Sequence, residues 1–112
     1  MTKRQNLGEF EHLLLAAAMR LGEDAYGVSL KREIEERSGR SVTLGAIYPT
    51  MDRLEARGFV ESTMAEPTGQ RGGRSRRVFT VTPAGVEAAE RAYRVFQAMW
   101  QGIEPASATG SE

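Results

Sequence analysis

The chain has 112 residues, and its 15 lysines and arginines are balanced by 15 aspartates and glutamates. That length allows one domain, or one small domain with an accessory element, and zero formal net charge excludes a protein that coats nucleic acid by bulk charge. Cysteine is absent, the start from Met1 to Asn6 lacks the apolar run of a signal peptide, and the run Leu13 to Met19 is too short to span a bilayer; a cytoplasmic protein is expected, with no disulfide, no thiolate metal site and no membrane partner.

The first predicted helix covers Gly8 to Leu21. Phe10, Leu13, Leu14, Ala17, Ala18 and Leu21 recur at helical spacing, and Leu7 and Leu15 make other faces apolar as well. A helix apolar on more than one side is expected between two layers. Gly22 ends it. After the connection Glu23 to Gly27, a second helix is predicted over Val28 to Ser38, with Leu30 and Ile34 inward and most of its charges outward. Gly39 ends that helix.

Thr43 is a suitable N-cap for a third helix, because its hydroxyl can accept an unpaired backbone N–H. Leu44, Ile47, Met51 and Leu54 form its inward stripe. Gly45, Ala46, Tyr48, Pro49, Thr50 and Arg53 are therefore expected outward. Pro49 removes one helical hydrogen bond and crowds the carbonyl of Gly45, so a bend or an irregular first turn is expected. Arg57 and Gly58 close the helix.

Phe59 to Met64 and Val78 to Val81 read as two strands of a hairpin. Between them, Gln70 to Arg77 holds four arginines and two glycines in eight residues. An arginine-rich hairpin tip suits a nucleic-acid backbone or a narrow minor groove. Thr82 and Pro83 then open a fourth helix as N-cap and first helical residue, running to about Gln101. Val86, Ala89, Tyr93, Phe96, Trp100 and Ile103 make a heptad-like seam on it. The small, polar stretch from Pro105 to Glu112 is expected to be disordered.

The order of elements predicts a mostly α protein with a small β-hairpin: a winged helix-turn-helix domain over residues 1–82, a C-terminal dimerisation helix over 83–103 and a tail over 104–112. In that plan the third helix enters the major groove of double-stranded DNA, the second braces it, and the hairpin reaches a flanking groove. A homodimer sets two reading heads about one DNA turn, roughly 34 Å, apart. Tyr48 and Thr50 offer hydroxyls and Arg53 a guanidinium fork.

Several segments resemble the PadR family of transcriptional regulators: Leu7 to Glu11, Ala25 to Gly27, Leu44 to Met51, Arg53 to Glu55, Gly58 to Val60, and the arginine-rich wing running into Val78 to Gly85. The resemblance covers about Leu7 to Trp100. It implies a homodimeric winged-helix repressor, often acting on its own or neighbouring promoters, and not an enzyme. Matched residue by residue, it implies DNA contacts from Thr43, Gly45, Tyr48, Thr50 and Arg53. Tyr26 is implied as an aromatic that seats the DNA-facing surface, and Arg71, Arg74, Arg76 and Arg77 as the wing. Which wing arginines enter a groove and which pair with Glu61 or Glu66 stays open. The first and last helices are implied to build the dimer, through Phe10, Leu14, Val86, Ala89, Tyr93, Phe96 and Trp100.

Some members are similar in binding flat hydrophobic effectors with interface aromatics, which here points to Phe96, Met99 and Trp100. Heptad spacing offers the same residues as a plain dimer seam. A winged-helix module that binds another protein is the further alternative. With His12 the single histidine, no metal site and no cofactor are expected.

Overall fold

The computed structural model describes residues 6–65 and 75–104. Four helices and one hairpin follow in the predicted order: α1 over Glu9–Leu21, a 3-10 turn over Gly22–Asp24, α2 over Gly27–Ser38, α3 over Leu44–Ala56, strands β1 over Val60–Ala65 and β2 over Arg76–Val81, and α4 over Pro83–Trp100. The wing tip and the tail beyond Glu104, for which the sequence sets expectations, lie outside the described residues.

Local rules account for the boundaries. The Gly8 N–H donates to the Glu11 carboxylate at 2.8 Å, closing the start of α1. Gly22 and Gly39 take positive φ where α1 and α2 stop, a backbone state that glycine reaches without steric cost. The Thr43 hydroxyl accepts the Ala46 N–H at 3.1 Å, and the Thr82 hydroxyl accepts that of Gly85 at 3.1 Å, as expected of N-caps. Helix α3 runs without a break through Pro49.

The core is one cluster. Leu14, Leu15, Ala17 and Ala18 of α1 meet Leu30 and Ile34 of α2, Ile47, Met51 and Leu54 of α3, Val60 of β1 and Phe79 of β2. Leu14 and Leu15 are both inaccessible, so α1 is covered on two sides. The hairpin pairs antiparallel with Val60 opposite Val81 and Ala65 opposite Arg76. Its second strand begins two residues earlier than predicted, which puts Arg76 and Arg77 inside the ladder and not at the tip. A short edge also ties the hairpin to the helices: the Phe79 N–H donates to the Ala25 carbonyl at 2.8 Å, and Tyr26 bridges Val78.

Two residues expected at a dimer interface belong to this core instead. Leu14 is fully buried and Ala89 is 4% exposed within the single chain. Helical spacing marks a face as apolar; it does not say whether the same chain or a second one covers it. Here α1 lies against α4, and Gly85, Ala88 and Ala89 are the buried residues of α4.

Gly85 allows the close approach of α4. A Cβ there would run into the Phe59 carbonyl oxygen and would lie 2.8 Å from Cγ1 of Val81. The main-chain oxygen cannot swing away as a side chain would. Gly85→Ala should therefore lower stability by about 1–3 kcal/mol, as forced overpacking does. Thermal unfolding checks this; an unchanged Tm would mean that α4 is not docked as described.

Candidate nucleic-acid interface

The turn before α3 is pinned from α2. The Glu35 carboxylate accepts the Val42 N–H at 2.9 Å and pairs with Lys31 at 2.9 Å. These two partners, Val42 first, hold the Glu35 carboxyl below its ordinary pKa. On the far side of α2, Glu33 pairs with Arg20 and Arg37, each at 2.8 Å. Helix α3 thus leaves α2 at a turn with a fixed starting point.

Its outward face differs from the expected one. Gly45, Ala46, Pro49, Asp52 and Arg53 are exposed, whereas Tyr48 is half-buried and Thr50 is 4% exposed. The Thr50 hydroxyl donates to the Ala46 carbonyl at 2.9 Å and accepts from Arg53 Nη2 at 3.1 Å. The Tyr48 ring packs on the core, 6.4 Å from the Phe79 ring, with its hydroxyl directed at Gly27 of α2. The cause is the width of the apolar stripe. Thr50 sits three residues after Ile47 and four before Leu54, and Tyr48 sits four after Leu44 and three before Met51. A stripe wide enough to face two neighbouring elements takes in such positions. Tyr48 and Thr50 are therefore corrected from outward readers to inward supports.

Among the described residues, Arg53 has no carboxylate partner, and its guanidinium rests on the Thr50 hydroxyl. Thr43 is exposed at the helix start with its hydroxyl engaged in the cap. The face offered by α3 is thus small and apolar over Gly45, Ala46 and Pro49, with Arg53 one turn beyond.

The wing contributes two adjacent arginines in unlike settings. Side chains alternate across a strand, so Arg76 and Arg77 point to opposite faces of the hairpin. Arg76 is exposed and lies over the Tyr26 ring, 4.1 Å from its centroid, with no carboxylate partner among the described residues. Arg77 faces α3. Its Nη2 bonds Asp52 at 2.8 Å and Glu55 at 2.9 Å, and its Nε bonds the Ser62 hydroxyl at 3.1 Å. The Ser62 hydroxyl also donates to Glu55 at 3.1 Å, and the guanidinium lies over the Phe79 ring at 4.8 Å. Pairing with Asp52, and then with Glu55, moves the Arg77 pKa above its ordinary value. Arg71 and Arg74 lie outside the described residues.

Asp52, Glu55 and Ser62 were not singled out from sequence. The spacing of Asp52 and Glu55 on one helix was a usable signal, but their partner is 22 to 25 residues away along the chain. Glu61 and Glu66 were the partners considered for the wing arginines, with no arginine assigned to them. Glu61 stands opposite Thr80 in the ladder, and Glu66 lies outside the described residues.

The distal half of α4 is unlike the rest of the surface. Tyr93, Val95, Phe96, Met99 and Trp100 are each more than half exposed, as is Ile103 just beyond the helix. Phe10 and Val86, also expected at an interface, are half-buried at the root of this face. Phe96 closes a small cavity of about 250 Å³ with Leu7, Gly8, Glu9, His12 and Leu13. Trp100 lies instead in a shallow groove with Arg94, Gln97, Ala98 and Gln101, and Met99 lines neither space. No helix among the described residues is long and apolar enough to cross a membrane.

Three packed helices, a two-stranded wing tied to Ala25 and Tyr26, and a long final helix define a winged helix-turn-helix protein. Comparison with known proteins agrees and goes further. Residues 14–91, more than half of the chain, match the model of the transcriptional regulator PadR-like family, and the chain belongs to that family. Its members are transcription regulators, not enzymes.

Transcriptional regulator Rv3488 of Mycobacterium tuberculosis is 39% identical over 74 residues, which are 66% of this chain and 62% of that protein. The chain thus spans less than two thirds of that relative's length. The protein hsRosR, solved as the complex hsRosR-S4, is 27% identical with a TM-score of 0.64, over 88% of this chain and 77% of that one. A PadR-like transcription factor from Bacteroides fragilis superposes with a TM-score of 0.70 over 90% of each chain; at 19% identity it speaks for the fold alone.

Proposed function

We propose that the protein is a homodimeric, sequence-specific DNA-binding regulator that represses its own or a neighbouring promoter. The observation that carries this reading is the pairing of two arginines that, among the described residues, lack carboxylate partners and stand on defined supports. Arg53 stands on α3 against Thr50, and Arg76 stands on β2 over Tyr26. Cations without carboxylate partners are the groups that neutralise phosphates and release counterions. The small residues Gly45, Ala46 and Pro49 let α3 approach base edges closely, and apolar side chains of this size suit thymine methyl groups. Thr43 adds a phosphate contact at the helix start, where backbone N–H groups favour anions. Arg71 and Arg74, outside the described residues, are assigned further phosphate or minor-groove contacts on the family resemblance.

The occupant proposed for the exposed face of α4 is a second copy of the chain. A run of large apolar residues this exposed marks an interaction surface. Tyr93, Phe96, Trp100 and Ile103 recur at the steps of three and four that a partner helix of the same kind would mesh with, and Val86 stands one heptad before Tyr93. The cavity closed by Phe96 supports a second reading on the same surface: a hydrophobic small-molecule effector held beside His12 and Phe96 and coupled to DNA release. Met99 and Trp100 would then border the dimer seam and not this cavity.

The first experiment is binding of the purified chain to DNA from upstream of its own gene, against scrambled DNA, at two salt concentrations. Tight, salt-sensitive binding with preference for the upstream fragment is expected; equal affinity for both fragments would remove sequence-specific regulation of that promoter. In the same assay Arg53→Ala should cost about 1–3 kcal/mol at the preferred site and little on random DNA. Arg76→Ala should weaken all sequences alike and lower the salt slope by about 1. Equal losses from the two variants would sink this division of labour. Phe96→Asp should split the dimer in analytical ultracentrifugation while the fold persists by circular dichroism; an intact dimer would refute α4 as the seam.

A further inference from the structure

The proposed DNA-binding surface has two separate parts, α3 and the wing, and their separation matters as much as the residues on them. Strands β1 and β2 form a two-stranded ribbon that leaves the core at Phe79. Two strands alone are marginally stable in water, so beyond that point the ribbon depends on its ties to the helices: on one face the Val78 bridge to Tyr26 and the Arg76 contact with the Tyr26 ring. Between Phe79 and the end of the described ladder at Arg76, one side-chain cluster joins the wing to α3: Arg77 with Asp52, Glu55 and Ser62. It links the second half of α3 to both strands. Ser62 bonds Arg77 and Glu55 together, so the contact is a network and not a single surface pair. Isolated exposed ion pairs contribute little; networks with defined geometry contribute more. Arg77 is half-buried, and its guanidinium lies over the Phe79 ring, 4.8 Å from the centroid.

Resting on the DNA-binding reading above, we propose that Arg77 is the positioning residue of that surface. It latches the wing to the recognition helix through Asp52, Glu55 and Ser62, and so sets the distance between the major-groove contact of α3 and the flanking contact of the wing. It does not contact phosphate. Its Nε and Nη2 are directed at α3 and β1, while the neighbouring Arg76, on the opposite face, has no carboxylate partner among the described residues. Two adjacent arginines of one strand thus have different tasks.

The latch makes a prediction opposite in sign to simple electrostatics. The double variant D52N/E55Q keeps Arg77 and removes two negative charges beside the DNA surface. If Arg77 contacted phosphate, or if charge alone mattered, DNA binding would tighten. With the latch, binding weakens by about threefold or more, because the ordering of a loose wing must then be supplied on binding. R77M, which removes the cation itself, weakens binding in the same way. In hydroxyl-radical footprints of the upstream fragment, protection is lost in both variants at the flank touched by the wing and kept along the backbone that borders the site entered by α3. A residue that only supports the fold would lose both regions together.

Hydrogen exchange without DNA supplies the second arm. The amides of Val60–Ala65 and Arg76–Val81 exchange faster in D52N/E55Q and in R77M, while those of α1 and α3 do not. Tighter DNA binding by D52N/E55Q, or hairpin exchange equal to the unmodified chain, overturns the inference. If the unmodified chain binds no DNA, the reading under Proposed function fails on its own. The exchange measurement then still decides: faster hairpin exchange keeps Arg77 as the residue that holds the wing, and unchanged exchange removes it. Should R77M not fold, D52N/E55Q alone carries both arms.

Discussion

Burial of Phe79 is the constraint on which the rest of the structure depends. Its side chain has no solvent exposure and belongs to the core cluster, with its ring 6.4 Å from that of Tyr48 on α3. Its N–H bonds Ala25, so the chain just before α2 is tied to the hairpin at the same point. Complete burial of a phenylalanine contributes about 1.5–3 kcal/mol, a large part of what a domain of this size has to spare. Everything proposed for DNA hangs from that anchor. On one side Val78 bridges Tyr26, whose ring supports Arg76; on the other the Phe79 ring itself underlies Arg77. The base of the wing is therefore an extension of the core, fixed before any nucleic acid arrives.

The elements were legible in the sequence where a local rule decides them. Thr43 and Thr82 cap helices because a hydroxyl at that position meets an unpaired N–H wherever the helix sits in the fold. Gly22 and Gly39 stop helices because few residues tolerate positive φ. The failures share a different character. Tyr48 and Thr50 were placed outward on the assumption of a narrow apolar stripe. Helix α3 is covered by α1, α2 and β1 together, and that width is a property of the packing, not of α3. Arg76 and Arg77 were placed at the hairpin tip because the charge is densest there. The ladder extends as far as its register allows, and charge has no voice in that. Leu14 and Ala89 were given to an interface because periodicity marks a face and leaves its partner open.

Zero net charge looks unsuited to a DNA-binding protein until the pairing is examined. Glu33 takes up Arg20 and Arg37, Glu35 takes up Lys31, and Asp52 and Glu55 take up Arg77. Much of the basic charge is thereby neutralised at the flanks and back of the helices. Arg53 and Arg76 remain without carboxylate partners among the described residues. The field that a phosphate backbone meets is decided by unneutralised charge within a Debye length of about 8–10 Å, not by the sum over the chain. Where the nearby anions Asp52 and Glu55 are taken up by Arg77, a neutral protein still presents a locally basic patch around Arg53 and Arg76.

The same logic separates the two ends of the molecule. At the wing, polar side chains are arranged in a network whose members satisfy one another, and no buried side-chain nitrogen or oxygen among the described residues lacks a partner. That kind of contact specifies geometry, because a polar group misplaced by an ångström loses its bond. At the distal half of α4 the exposed groups are Tyr93, Phe96, Met99 and Trp100, which reward burial almost regardless of angle. Non-directional contact suits the assembly of two copies, where the gain scales with the area covered. Directional contact suits the spacing of two reading elements on a duplex, where grooves and backbone recur at set distances. A dimer held by apolar area still has to place its two recognition helices about one helical turn apart. In this chain the link from α4 to α3 runs through Gly85, seated against the Phe59 carbonyl, and the hydroxyl of Thr82, which donates to the Gly58 carbonyl at 2.6 Å. Rigid contacts at that junction would carry the geometry of the proposed seam to α3, and a soft interface would then set a hard spacing.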